Sequence, residues 1–225
     1  MNYFLHYMRL PQFTRKCSCI VPTFIGWITL LTILLTGLGC SLFLINPFLS
    51  HTKQVKSEIL VVEGWMPDYC LEQVASFMKT GDYELIITTG GPLKDGSYLK
   101  EYKTYADLAT ATLKSIGVVE SLIVTVPAPY SQKDRTYQSA LSLKKWMKDS
   151  GKSINSFEVC SLGAHTRRSG YLFKKVFGNQ VDVGTIAIPN RDYNPVFWFL
   201  YSEGVREVIG ESIAYIYARL FFFKG

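Results

Sequence analysis

Beyond its first fifty residues the chain changes hydrophobic period again and again. "SEILVVEG" (57–64) is a Val- and Ile-rich run too short for a helix, the mark of a buried strand. "PDYCLEQVASFMKTG" (67–81) then spaces Leu71, Val74, Ala75 and Met78 as one helical face, with Asp68 as the expected N-cap and Gly81 at the C-terminal end. The alternation continues. "YELIITTGG" (83–91), "SLIVTVPAP" (121–129), "SFEVCSLG" (156–163) and "VDVGTIAIP" (181–189) read as strands. "SYLKEYKTYADLATATLKSIG" (97–117), "RTYQSALSLKKWMKDSG" (135–151) and "TRRSGYLFKKVFG" (166–178) read as helices. A last helix is expected from Glu203 to Phe223. Its apolar run, Ile213 to Phe223, is too short to span a bilayer and is expected to pack on the sheet or lie on the membrane.

Strands that alternate with helices need crossover connections, which make a parallel sheet covered on both faces. The expected fold class is therefore α/β, a doubly wound, Rossmann-like, mainly parallel sheet of about five strands. In such sheets ligands bind beyond the carboxyl ends of the strands, near the point where strand order reverses. The residues to weigh are those just after each strand: Glu63, Gly64, Trp65 and Asp68; Thr88, Thr89, Gly90 and Gly91; Asp134, Arg135 and Thr136; His165, Arg167 and Arg168; Arg191, Asp192 and Tyr193.

The first fifty residues follow another rule. From Cys17 to Ser50 there is no Asp, Glu, Lys, Arg or His. That is enough apolar chain for one transmembrane helix before the α/β domain. The run is longer than a signal peptide's apolar region, and no small-residue cleavage site follows it, so an uncleaved anchor is expected. Arg9, Arg15 and Lys16 precede the span without an acid, whereas Glu58 accompanies Lys53 and Lys56 after it. The positive-inside bias then puts the N-terminus in the cytoplasm and the domain outside, on the plasma (inner) membrane. This divides the chain into a cytoplasmic flank (1–18), an anchor region (19–49), a linker (50–57) and the α/β domain (58–225).

The formal net charge of +6 lies partly on the cytoplasmic flank, so the exported part is only mildly basic and no nucleic-acid partner is implied. Cys70 and Cys160 are far apart in sequence and are expected as buried thiols, although an oxidising compartment would allow a bond between them. No cofactor is indicated. The GxSxG elbow and the GxGxxG fingerprint are missing, and the scattered His residues and lack of a Cys-x-x-Cys argue against zinc.

Three segments carry candidate chemistry. Gly90 and Gly91 end a strand and can bring backbone N–H groups close to an anion, though a plain flexible connection explains them equally. The spacing of Gly91 and Gly96 fits a Walker A loop, but Ser97 stands where the lysine belongs. Thr136 sits at a helix start as an N-cap or first-turn residue, while Arg135 is not needed for capping. In "LGAHTRRSGYLF", His165, Arg167 and Arg168 gather cations at a helix N-terminus, where the dipole disfavours them unless an acid or an anionic ligand compensates. Residues three apart share a helix face, so His165 and Arg168 are expected to face the cleft and Arg167 to point away.

Taken in order, "EILVVEG", "IITTGG", Glu101, "RTYQSA" and "CSLGAHTRRSGYLF" resemble the SanA/ElyC/YdcF-like family. The resemblance covers about Glu58 to Gly184. It implies a role in cell-envelope (peptidoglycan) biogenesis; the cations at the strand ends and the membrane anchor add the expectation of a phosphate-bearing ligand such as a lipid-linked glycan precursor. Further envelope proteins would be possible partners. It implies site residues at Gly90, Gly91, Glu101, Thr136, His165 and Arg168, with Glu101 orienting His165 in a catalytic pair. Glu63, Gly64 and Arg135 complete the expected binding set. Gln138 and Ser139 depart from the family's Glu and Asn, and "EGWMPD" replaces its Gly-rich first loop. Hydrolysis, transfer and a non-catalytic nucleotide- or glycan-binding scaffold all remain open.

The topology is directly testable. A reporter active only outside the cytoplasm, fused after Gly225, should be active; activity of a cytoplasm-only reporter there would overturn the orientation.

Overall fold

The computed structural model describes residues 21–81, 83–94 and 101–222. The first helix, α1 (Phe24–Leu49), is long and apolar enough to cross a membrane, and its span window is not buried. The described residues fall into two compact units that divide between Gly39 and Cys40, so the end of α1 belongs to the second.

That second unit is a three-layer α/β domain. Strands β1 (Ile59–Glu63), β2 (Leu85–Gly90), β3 (Ile123–Pro127), β4 (Ser156–Leu162) and β5 (Asp182–Ile188) form one sheet in the order β3-β2-β1-β4-β5, all parallel. Both faces are covered. Leu60, Val62, Ile86 and Cys160 pack on one side with helices α2 (Asp68–Thr80) and α3 (Tyr105–Ser115). Val61, Ile87 and Val159 pack on the other with α4 (Arg135–Asp149) and α5 (Thr166–Phe177). Successive side chains of a strand alternate faces, which is why the strands read as continuous apolar runs and not as alternating ones. Cys70 and Cys160 are both buried and free.

Several expected boundaries move. The first turn of α2 begins at Asp68, with Pro67 in the cap position. Thr136 is the second residue of α4, after Asp134 in a left-handed cap conformation with φ 57°. The helix expected from Ser97 starts only at Tyr105, because Thr104 and Asp107 form a reciprocal capping box. Residues 97–100 of that expected helix lie outside the described residues, and Glu101 precedes the helix in a bend. The last helix, α6 (Ser202–Leu220), packs on α5 and on the 3-10 turns Gly163–His165 and Trp198–Leu200. Phe223, its expected end, lies outside the described residues.

The expected linker is tied down. Lys53 exchanges both backbone hydrogen bonds with Thr185 of β5, at 2.9 and 2.8 Å. The Val55 N–H donates to the buried Glu158 carboxylate at 2.7 Å, and Tyr83 Oη donates to its other oxygen. Ser57 Oγ donates to the Ser156 carbonyl at 2.9 Å.

Gly64 is a close-approach residue. A Cβ there would lie 2.3 Å from the Tyr105 carbonyl oxygen, whereas one on Gly91 would find only ordinary contacts beyond 3.5 Å, the nearest at 3.6 Å. Gly64→Ala should therefore lower stability by about 1–3 kcal/mol, the usual cost of overpacking, and Gly91→Ala should not. Thermal melts of the two variants without ligand check this.

Candidate active site

Strand order reverses between β1, the central strand, and its neighbour β4. The crossover after β1 leads to β2 and β3 on one side, and the chain then returns to lay β4 on the other. This is the switch point where α/β sheets open a crevice. A cavity of about 610 Å³ lies there, within the size range of small-molecule sites.

Its floor is a chain of alternating charges. Glu63, the last residue of β1, is 3 % exposed. Ser161 Oγ and Ser169 Oγ donate to its Oε2 at 2.5 and 2.9 Å. His165, on the 3-10 turn after β4, places Nε2 3.7 Å from the same oxygen, too long for a direct hydrogen bond, so the attraction is coulombic. Its Nδ1 lies 2.9 Å from Oε1 of Glu211 on α6. Arg168 closes the series, with Nε and Nη2 donating to the two Glu211 oxygens at 2.8 and 2.9 Å. Arg168 Nη2 is also 2.9 Å from Nδ1. On a protonated ring both nitrogens are donors, so that contact is not a bond; both donors converge on Glu211 Oε1.

The electrostatics follow from this order. Burial pulls the His165 pKa down, but the Glu63 charge and the hydrogen bond to Glu211 outweigh it and raise the value to about 9. The ring is therefore an imidazolium at neutral pH. Burial would push both carboxyls up. The charge of His165, with the serine hydrogen bonds, holds Glu63 below the usual range. Hydrogen bonds from His165 and Arg168 bring Glu211 down to about 2. Trp65 lies edge-on to the imidazole, with ring centroids 4.8 Å apart, and Thr136 Oγ1 is 3.5 Å from Nε2.

A second polar cluster lies behind the first. Glu207, one turn before Glu211, accepts from Asn190 Nδ2 at 2.5 Å, Tyr193 Oη at 3.2 Å and the Ala164 N–H at 3.3 Å. Burial raises its pKa despite those bonds, and burial with the Glu207 charge raises that of Tyr193 as well.

The rim is different. Lys94 and Arg135 line the mouth, are exposed and have no ion-pair partner among the described residues. The N-terminus of α4 opens on the same space through Arg135 and Thr136, with no acid in its first turn. Exposed cations and the first turn of a helix around one mouth suit an anion.

Glu63, Gly90, Gly91, Arg135, Thr136, His165 and Arg168 thus line one cavity, as expected from the sequence. Arg167 turns away: its guanidinium lies 3.9 Å over the Phe48 ring, and Nε donates to the Phe48 carbonyl. Gly64 does not line the cavity; it lets α3 approach. Glu101 is exposed and lines a separate depression with Lys103 and Asp107. Its expected place beside His165 is held by Glu63 and Glu211, because the capping box starts α3 after Glu101 and leaves it off the helix. Glu207 and Glu211 were not singled out from the sequence. Their signal was a run of acids four residues apart, Glu203, Glu207 and Glu211, which puts them on one helix face.

Two outcomes follow. His165 is held charged in the fold, so its contribution is fully present below 6.5, the unfolded value, and is lost as pH rises through about 9. Its size is about 3 kcal/mol. Melting temperature should fall across that window in the full chain, and His165→Gln should flatten the fall. Arg168→Ala takes one of two cationic partners from Glu211, leaving His165, and should cost about 1.5–3 kcal/mol of stability. Adding Glu211→Ala should recover part of that loss, a coupling that a double-mutant cycle of melts reads directly.

No protein-family model matches the chain, and no curated protein matches it.

Proposed function

We propose that the protein is a membrane-anchored envelope-biogenesis factor whose extracytoplasmic domain binds a phosphate-bearing ligand, such as a lipid-linked glycan precursor, in the β1–β4 crevice. The observation that carries this reading is His165, set between the carboxylates of Glu63 and Glu211 at the floor of a cavity rimmed by the exposed cations Lys94 and Arg135. The resemblance of the ordered motifs to the SanA/ElyC/YdcF-like family and the charge-free run from Cys17 to Ser50 support the envelope setting.

In this reading the rim and the N-terminus of α4 capture the phosphate, while the Gly90–Gly91 backbone borders it. Arg168 has two nitrogens committed to Glu211, which leaves Nη1 for the ligand. His165 carries a proton on Nε2 beside the cavity, so its role is general acid: it gives that proton to the departing oxygen of a phosphoryl or glycosyl group. Glu63 and Glu211 orient the ring and keep it charged. Hydrolysis and transfer both fit a proton donor so placed.

One observation favours the other reading, a scaffold that binds without turnover. Both carboxylates beside His165 are already occupied by internal partners, so neither is a free base.

The test is a screen of the full chain in nanodiscs against phosphorylated envelope metabolites, reading thermal shift and turnover together. A binder should lose about 10- to 100-fold in affinity on Arg135→Ala or Lys94→Ala, the equivalent of one charged hydrogen bond. Turnover should be abolished in His165→Asn with binding kept. Binding without turnover selects the scaffold, and no shift with any anionic compound sinks both readings.

A further inference from the structure

α6 has two faces of different character. Its inner face carries Glu207 and Glu211 to the polar clusters and buries Val208 and Ala218. Its outer face presents Ile209, Ile213, Ile216, Tyr217 and Leu220, followed by Phe221, at the three- and four-residue spacing of one helical stripe. These side chains are exposed, Ile213 by 64 % and Leu220 by 60 %. Between Glu207 and Arg219 the only charge is Glu211, and it is turned inward to Arg168. A helix lying on a water-facing surface carries polar residues there; this one is apolar on the outside as well.

The end of α1 meets α6 and the segment before it. Phe48 meets Tyr215 of α6 with ring centroids 5.9 Å apart. Trp198 Nε1 donates to the Leu42 carbonyl at 2.6 Å, and Asn46 Nδ2 to the Pro195 carbonyl at 2.9 Å. Phe43 packs edge-on against Phe197 and Phe199. Around these contacts Leu44, Val196, Leu200 and Tyr201 are exposed. The end of α1 thus packs beside α6, through Phe48 with Tyr215 and Leu49 with Val208, while the exposed stripe occupies the neighbouring face, with the exposed Glu203–Arg206 pair at its N-terminal end.

We propose that the outer face of α6, with residues 196–201, is a lipid-binding surface seated in the headgroup–acyl boundary of the bilayer that α1 crosses. The inference rests on the anchored reading above. The last turns of α1 packing against α6 select lipid as the occupant: a helix held beside the membrane-entering chain reaches lipid before any other partner. Tyr201 and Tyr217 suit that boundary, where aromatic rings with a polar tip collect. Interfacial helices of this kind sit about 5–10 Å into the boundary. Tyr217 and Ala218 belong both to α6 and to the cavity wall, with Phe222 beside them. The cavity's apolar wall then adjoins lipid, and its ligand class is an amphiphile: an anionic head in the crevice with an acyl or prenyl tail left in the bilayer.

The test uses the full chain with Cys17, Cys19 and Cys40 replaced by Ser, reconstituted in phosphatidylethanolamine–phosphatidylglycerol vesicles. Nitroxides are attached singly through Ile213→Cys, Ile216→Cys and Leu220→Cys, positions exposed enough to leave the core undisturbed. Lys145→Cys on α4 is the water-facing control, its native side chain being 77 % exposed. The α6 labels should relax severalfold more with oxygen than with a water-soluble nickel chelate, and the control should show the reverse. Nickel accessibility at α6 equal to the control would overturn the proposal. So would strong spin–spin coupling between copies, which would make the stripe a self-association face. Retention of the chain in membranes at alkaline pH reports the anchor separately. Retention with water-exposed α6 labels overturns this inference alone, and release overturns the anchored reading with it.

Discussion

The ion pairing of His165 with Glu63 and Glu211 is the contact on which the site depends. It joins three distant parts of the chain: the end of β1, the turn after β4 and the middle of α6. The buried carboxylate of Glu63 would be costly alone, and the half-buried imidazolium and Glu211 carboxylate would cost less but still something. Interleaved, with Arg168 at the end, they come to formal neutrality, and serine hydroxyls and the guanidinium satisfy the remaining lone pairs. Such a cluster stabilises modestly when complete and destabilises strongly when one member is removed. It therefore acts mainly as a geometric lock. It holds the His165 ring in one orientation and holds α6 against the strand ends.

The lock also separates two kinds of charge. The floor is shielded, internally neutral and insensitive to salt, whereas Lys94 and Arg135 at the rim stand in solvent and are screened beyond about 8 Å at physiological ionic strength. Long-range attraction of an anion and the proton inventory at the floor are thus set by different residues.

The strand and helix sequence was legible because parallel strands buried on both faces read as unbroken apolar runs, and their ends name the crevice. Glu63, His165, Thr136 and Arg168 could be singled out on that rule alone. The partners were harder. Which acid answers the cations at 165–168 depends on where α6 docks, and Glu211 lies 46 residues from His165 in sequence. No local pattern carries that information. Glu101 was misplaced for the opposite reason: the local apolar pattern ran back past Thr104, while the reciprocal bonds of Thr104 and Asp107 decide where the helix starts. Gly64 was read as a ligand contact although its service is to the approach of α3, a distinction only packing reveals.

The tie between residues 51–57 and the sheet has a consequence for where the folding unit begins. β5 is an edge strand, and edges left open invite pairing with other chains. Lys53 covers part of that edge as a short antiparallel bridge, and Thr52 Oγ1 accepts from the Ala187 N–H at 3.0 Å. Leu49 is buried with Trp198, Tyr193 and Val208 in a small core of its own. A soluble piece cut at Glu58, the border suggested by composition, would bare the β5 edge, strip the Val55 N–H from the buried Glu158 and open that core. The natural excision point lies inside α1, near Cys40, and any such piece carries the last turns of an apolar helix with it.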